Sequence, residues 1–253
     1  MIQVIEVGKS FNDAQVLRSV AFEVSKGDFV AVMGASGSGK STLLYSVSGM
    51  DTITSGKVMF DEVNLAELQE EELSTFRLNR MGFVFQSPQI LKNLTVFDNI
   101  ILPGLVAKQE SAETIRARAT TLMQRMDIAG IGERDIREVS GGQLQRAAIC
   151  RSMINKPEIL FLDEPTGALN SEATDEVLAI LEDLNREGMT IMMVTHDSRV
   201  AARAHRVLYM RDGEIAANMV LTDASNRLQE LESWLQGISP KNKAKTELHQ
   251  RVM

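Results

Sequence analysis

The chain lacks most features that staple small proteins together or mark a membrane segment. It has one cysteine, Cys150, so no disulfide can form within it. No CxxC or Cys/His cluster points to a structural metal. That thiol is expected to be a small core residue. No apolar run approaches the roughly 18 residues that a membrane-crossing helix needs. The opening Met1-Ile2-Gln3-Val4-Ile5 alternates like a strand and lacks the basic stretch and apolar core of a secretory leader, so none is expected. An excess of positive charge is missing too. The 34 acidic residues outnumber the 27 basic ones, for a net charge of −7. That argues against a nucleic-acid partner, which needs a basic face. Internal repeats and low-complexity linkers are absent. The expectation is a cytosolic protein without direct membrane insertion, in which any membrane role would come through a partner.

What remains is an ordinary globular composition, with 44% hydrophobic residues over 253 positions. A chain of this length buries roughly 70–75% of its unfolded surface, so it can build a sizeable core. Strand-like segments are expected at 3–7, 16–24, 29–33, 57–60, 82–85, 159–162, 190–194, 206–210 and 214–217. Helices are expected at 41–48, 70–80, 174–185 and 224–235. Between 87 and 154 the texture turns mostly helical. The best case is 111–126, where Ala112, Ile115, Ala119, Leu122, Met123 and Met126 recur every three or four residues. Ile90 and Leu91 are apolar in an expected loop; they can meet a partner or cap the stretch's own core. Asp212-Gly213 is a hairpin turn signal. From Gly237 on the chain is polar, and 237–253 is expected to be a loose tail.

Two motifs carry chemistry. Gly34-Ala35-Ser36-Gly37-Ser38-Gly39-Lys40-Ser41 fits G-x-x-x-x-G-K-[ST] between an expected strand and an expected helix. Its glycines let backbone amides curl around an anion, and the helix start adds about half a positive charge. Lys40 can reach β- and γ-phosphates, and the Ser41 hydroxyl can ligate Mg²⁺. The second motif is Ile159-Leu160-Phe161-Leu162-Asp163-Glu164. A buried strand of this kind delivers its acids at the carboxyl end, where open parallel sheets bind ligands. Asp163 would hold Mg²⁺ and Glu164 would polarise a water. Kinases, GTPases and helicases all remain open at this point. A third segment, Val139-Ser140-Gly141-Gly142-Gln143-Leu144-Gln145-Arg146, reads as a helix start with Ser140 as N-cap and Gln143 completing a capping box. Its two glycines strip side chains from a second anion-ready helix end.

Ser140-Gly141-Gly142-Gln143 with Gln145-Arg146 resembles the signature sequence of the ABC (ATP-binding cassette) family. With it come a Walker A motif from Gly34 to Thr42, a Q-loop glutamine at Gln86, a Walker B motif ending in Asp163 and Glu164, a D-loop at 167–171 and an H-loop histidine, His196, in the family's order. The resemblance spans residues 1–219. It implies an α/β fold of the P-loop NTPase type, with a mostly parallel core sheet and an N-terminal antiparallel β subdomain. It implies one ATPase domain over 1–236, with a helical subdomain at about 87–154 inserted in the core. It implies ATP and Mg²⁺ as ligands, Phe11 stacking on adenine, and Gln86 linking Mg²⁺ and the attacking water to the helical subdomain. His196 would contact the γ-phosphate. Catalysis would fall to Glu164, His196, Gln86 and Lys40, and the metal to Ser41, Gln86 and Asp163. Two cassettes would pair head to tail, so that Ser140, Gly141, Gly142 and Gln143 close in trans on ATP held by the second copy. A membrane permease on the cytoplasmic face would be the other partner. Two departures stand out: Val139 where the family has Leu, and Asn170 where the D-loop has Asp. The tract from Asp163 to Ser171 resembles bacitracin-type peptide-resistance cassettes. Gly82-Phe83-Val84-Phe85-Gln86 and Asn93-Leu94-Thr95-Val96 suit the macrolide-efflux and lipoprotein-release cassettes. A soluble cassette acting in translation or DNA repair and a non-hydrolysing signalling module are the competing readings. One copy of each motif disfavours the first, and the intact Lys40, Asp163, Glu164 and His196 disfavour the second.

Overall fold

The structure, a computed structural model, describes residues 1–222 and 225–238. In chain order it runs β1 (Ile2–Phe11), β2 (Ala14–Val24), β3 (Phe29–Gly34), α1 (Lys40–Val47), β4 (Ser55–Phe60), β5 (Val63–Asn64) and α2 (Glu70–Arg80). It continues with β6 (Met81–Phe85), α3 (Val96–Ala107), α4 (Ala112–Arg125), α5 (Gly141–Met153), β7 (Ile159–Asp163) and α6 (Ser171–Arg186). The last described elements are β8 (Thr190–Val194), α7 (Ser198–Ala201), β9 (Arg206–Arg211), β10 (Glu214–Val220) and α8 (Arg227–Ile238). Among them lie two sheets, one ordered β2-β1-β4-β5 and the other β10-β9-β3-β8-β7-β6. The first is antiparallel throughout. The second is parallel except at its β9–β10 edge.

The central strands are apolar apart from Asp163 at the end of β7 and Thr190 at the start of β8, and the structure separates the two sets that alternate along them. Phe29, Ala31 and Met33 of β3 join Leu160, Leu162, Ile191 and Met193 in a core shared with α3, α4, α5 and α6. Val30 and Val32 join Ile159, Phe161, Met192 and Val194 on the opposite face, against α1 and the small antiparallel sheet. A strand covered on both faces has no solvent side to leave polar, which is why these segments read as continuous runs. On α6, Val177, Leu178, Leu181 and Leu184 are buried at helical spacing. Of the stripe expected on α4, Ile115, Ala119 and Met123 are buried and Met126 lies buried just past the helix end, whereas Ala112 in the first turn is exposed. Cys150 is fully buried, and burial pushes its thiol pKa up to about 12.

Several boundaries move for local reasons. The stretch after Gln86 is a loop until Thr95, whose side chain caps α3 by accepting from the Asp98 amide at 3.0 Å. Buried Asn99 pins that loop: its Oδ1 accepts from the Leu91 amide at 2.8 Å and its Nδ2 donates to the Leu91 carbonyl at 3.0 Å. Ile90 therefore packs on the core beneath, while Leu91 stays 51% exposed. Helix α6 starts three residues before the expected 174, because Asn170 Oδ1 accepts from the Ala173 amide at 2.9 Å. The last described helix runs Arg227–Ile238 against the expected 224–235, so Gly237 and Ile238 belong to it. Ala224, the expected start of that helix, and 239–253 of the expected tail lie outside the described residues. At the β9–β10 turn, Asp212 and Gly213 both take positive φ, 50° and 83°. The turn's backbone then reaches two neighbours: the Gly213 carbonyl accepts from the Arg18 amide at 2.9 Å, and its amide donates to the Ser38 carbonyl at 3.2 Å. That clasp joins β2, the glycine-rich loop and β9.

Candidate functional site

β3 delivers the glycine-rich loop, and α1 leaves from its far end. Gly39, the residue before α1, sits at φ 98°, a left-handed conformation that side chains other than glycine's resist. The first turn of α1 has no side-chain cap and no acidic residue, so its amides are offered to a ligand. Lys40 is 7% exposed. Its Nζ donates to the Gly34 carbonyl at 3.0 Å and the Ala35 carbonyl at 2.8 Å, folding the ammonium back over its own loop. Burial lowers its pKa, and the nearby Glu164 and Asp163 carboxylates pull it the other way. The Ser38 hydroxyl is buried with no partner among the described residues.

Asp163 ends β7, with β6 and β8 hydrogen-bonded on either side. Its two oxygens are taken by one helix. Ser41 Oγ donates to Oδ1 at 2.9 Å, and the Tyr45 hydroxyl donates to Oδ2 at 2.6 Å. Burial and the bond to Asp163 both push the Tyr45 pKa well above the usual phenol range. Glu164 follows in the left-handed region at φ 48°, a conformation rare for a non-glycine residue and found disproportionately at functional sites. Its amide donates to the Val194 carbonyl at 3.0 Å. Its carboxylate lies 2.9 Å from Nδ1 of His196, which comes from the end of β8.

Lys40, Ser41, Glu164 and His196 meet at a cavity of about 1010 Å³, lined also by the rest of the glycine-rich loop through Thr42 except Ser38, and by Val16, Tyr209 and Leu235. Three of those walls escaped the sequence reading. Val16 is one residue of an alternating strand, Tyr209 one of a short apolar run, and Leu235 one of a terminal amphipathic helix; the clasp that gathers the first two is tertiary. Phe11, Gln86, Ser38, Asp163 and the Ser140 segment do not line this cavity, though Asp163 touches it through Ser41. Phe11 is 46% exposed, with the Lys9 ammonium 4.5 Å from its ring centroid, so it is a surface ring and not a core one. Gln86 lies against Gly167: a methyl group there would sit 2.7 Å from the Gln86 amide nitrogen.

The Ser140 segment forms a separate, exposed helix start. Ser140 Oγ accepts from the Gln143 amide at 3.3 Å, and Gln143 Oε1 accepts from the Ser140 amide at 3.1 Å, a complete capping box. Gly142 is needed for packing, since a Cβ would come within 2.9 Å of Ala173 Cβ on α6. Gln145, 1% exposed, donates from Nε2 to the Phe85 carbonyl at 3.1 Å, linking this helix to the end of β6 just before Gln86.

A mostly parallel sheet with a glycine loop feeding an uncapped helix, and two acids at the carboxyl end of β7, two strands away from β3, defines a P-loop nucleoside triphosphatase. The sequence pattern of the ABC transporter family matches residues 17–167. The macrolide export ATP-binding/permease protein MacB of Mannheimia succiniciproducens is 43% identical over 208 residues, which is 82% of this chain and 32% of that protein. A dimeric bacterial ABC transporter cassette superposes with a TM-score of 0.82 at 35% identity, covering 88% of this chain and 100% of the cassette. Another dimeric cassette structure, a post-hydrolysis state bound to ADP and Pi, gives 0.82 at 33% identity over the same shares. The chain belongs to the ABC transporter family and corresponds to its ATP-hydrolysing cassette. Of the branches its motifs resemble, macrolide efflux is the one to which the MacB relatives belong. The chain spans about a third of the length of the curated relatives it matches. Among the described residues, no helix is long and apolar enough to cross a membrane.

Proposed function

We propose that this chain is the motor of a membrane exporter. It binds ATP with Mg²⁺, pairs with a second copy of itself across the nucleotide, and drives a permease from the cytoplasmic face. The observation that carries the reading is the cavity where Lys40 and the uncapped start of α1 face the Glu164–His196 pair across about 1010 Å³. The donor set fits Mg²⁺. Ser41 Oγ and Asp163 Oδ1 are hard oxygens 2.9 Å apart. Among the described residues no cluster of three or more His, Cys, Asp or Glu could hold an ion unaided. Mg²⁺ is commonly held so, by one or two protein oxygens plus the phosphates. When bound, it would neutralise charge building on the phosphate oxygens.

The chain's own groups do the rest. Lys40 exchanges the Gly34 and Ala35 carbonyls for β- and γ-phosphate oxygens, a charge-assisted contact. The amides of the loop and of the first turn of α1 cradle the same phosphates. Glu164 orients a water for attack on the γ-phosphorus and accepts its proton. His196 turns its donor from Glu164 to the γ-phosphate, freeing the carboxylate for that water. Phe11 stacks on the adenine, and Gln86 reports the state of the γ-phosphate to the loop at 87–95. The segment from Ser140 to Gln143 contacts the triphosphate of the second copy. Leu91, exposed on that loop, offers an apolar contact to the permease. The relatives are macrolide exporters, and a hydrophobic macrolide-like cargo is the corresponding proposal here.

The deciding experiment co-expresses the chain with candidate exporter permeases and measures phosphate release by the purified complex. Cargo-stimulated turnover supports the reading. A chain that hydrolyses ATP and never co-purifies with a permease overturns the transport part and leaves the ATPase.

A further inference from the structure

Ser41 and Tyr45 are four residues apart on α1, so their side chains stand on one face of the helix. Each donates to a different oxygen of Asp163, at 2.9 Å and 2.6 Å. The carboxylate is therefore gripped at both ends by one rigid element and cannot rotate about its own axis without breaking a bond. The Tyr45 ring is held in turn. It packs at a tilt against Phe85, ring centroids 6.4 Å apart. Phe85 is the direct parallel-sheet neighbour of Asp163, and its carbonyl accepts from Gln145 of α5. Nothing in the glycine-loop motif requires a tyrosine at this position. Ser41 already serves as hydroxyl donor on the metal side, so the second donor sits on the oxygen away from it.

We propose that Tyr45 is a positioning residue that locks the Asp163 carboxylate, with Oδ2 tied back to α1 and Oδ1 presented beside Ser41 for a divalent cation. The inference rests on the reading of Asp163 as a metal-holding group. Partners of this outer kind fix the orientation of a ligating carboxylate, and their loss costs about 10–100-fold in metal affinity. Tyr45→Phe keeps the ring and its contact with Phe85 and deletes only the donor.

The test measures Mn²⁺ affinity by the electron paramagnetic resonance signal of free Mn²⁺ in the presence of saturating ADP. It compares the intact chain with Tyr45→Phe and Asp163→Asn, and measures ADP affinity separately in EDTA. Tyr45→Phe is expected to weaken Mn²⁺ binding about tenfold, with metal-free ADP affinity unchanged. A tyrosine that only packs would lower the melting temperature and leave Mn²⁺ affinity alone. Wild-type Mn²⁺ affinity in Tyr45→Phe alongside a loss in Asp163→Asn overturns the lock and keeps Asp163 as the metal group. Unchanged affinity in both variants overturns the lock together with the reading beneath it.

Discussion

Two glycine-led helix starts sit in this molecule, and they solve the same electrostatic problem in opposite ways. The start of α1 follows a left-handed glycine, has no cap and no acidic residue in its first turn, and carries the nearly buried Lys40. The start of α5 is exposed and satisfies its Ser140 and Gln143 amides through the Ser140–Gln143 capping box. An uncapped helix end with a buried ammonium is costly without an anion, so the first site is built around a ligand it does not itself supply. The second is stable without one. A protomer can therefore fold with its signature helix intact and still present the Gly141 and Gly142 amides to another molecule. Under the proposed function, that difference separates the site that would hold nucleotide from the surface that would recognise nucleotide held by a second copy.

The largest effect falls where hydrolysis depends on the first site. Glu164→Gln keeps the shape of the side chain and removes the proposed base. Turnover should fall about 10²–10⁴-fold, with ATP binding retained, as read by phosphate release beside equilibrium binding. Wild-type turnover in this variant removes Glu164 from the chemistry.

The next effect is on affinity. Lys40→Ala deletes the charged donor, and hydrogen bonds to charged groups contribute about 1.5–3 kcal/mol. Binding of a fluorescent ATP analogue should weaken by an order of magnitude or more. The rise in melting temperature with ATP should shrink with it, since that rise follows ligand concentration over Kd. Equal affinity would mean that the start of α1 binds without its lysine, and the contrast with α5 would lose its main support.

The two helix starts also differ in how much of them was legible. The capping box on α5 is local chemistry written in four adjacent residues, so sequence reasoning finds it whole. The glycine loop is legible for the same reason, as are the doubly covered strands, whose apolar runs need no knowledge of their neighbours. The walls contributed by Val16, Tyr209 and Leu235 are not legible, because they come from three elements brought together by the β9–β10 clasp and by α8. The pairing of Tyr45 with Asp163 joins residues 118 positions apart. Thr95 could have placed the start of α3, since a threonine before an acidic first turn is a start signal. The adjacent Leu91 loop takes its shape from buried Asn99, which no periodicity announces.

A third effect tests whether α5 faces another copy's nucleotide. In the Glu164→Gln background the γ-phosphate persists, so ATP should hold two protomers together, and light scattering should report a dimer. Adding Ser140→Arg places a bulky cation at the exposed helix start and should return the protein to a monomer while ATP still binds. A monomer at saturating ATP without the arginine would confine the shared site to complexes in which a permease holds the cassettes together.

The smallest effect separates capping from recognition at the same residue. Ser140→Ala removes the Oγ that accepts from the Gln143 amide, and loss of such a cap costs about 0.5–2 kcal/mol. Urea unfolding should show that loss. Aspartate caps as well as serine, and its charge suits the positive end of the helix, so Ser140→Asp should unfold like the wild type. Its carboxylate would nevertheless meet the triphosphate of the second copy, and like charges repel. In the Glu164→Gln background, Ser140→Asp should therefore be stable and fail to dimerise. Ser140→Ala should be less stable and still form some dimer. Should the aspartate variant dimerise as readily as its parent, the start of α5 does not face phosphate, and its capping box serves the fold alone.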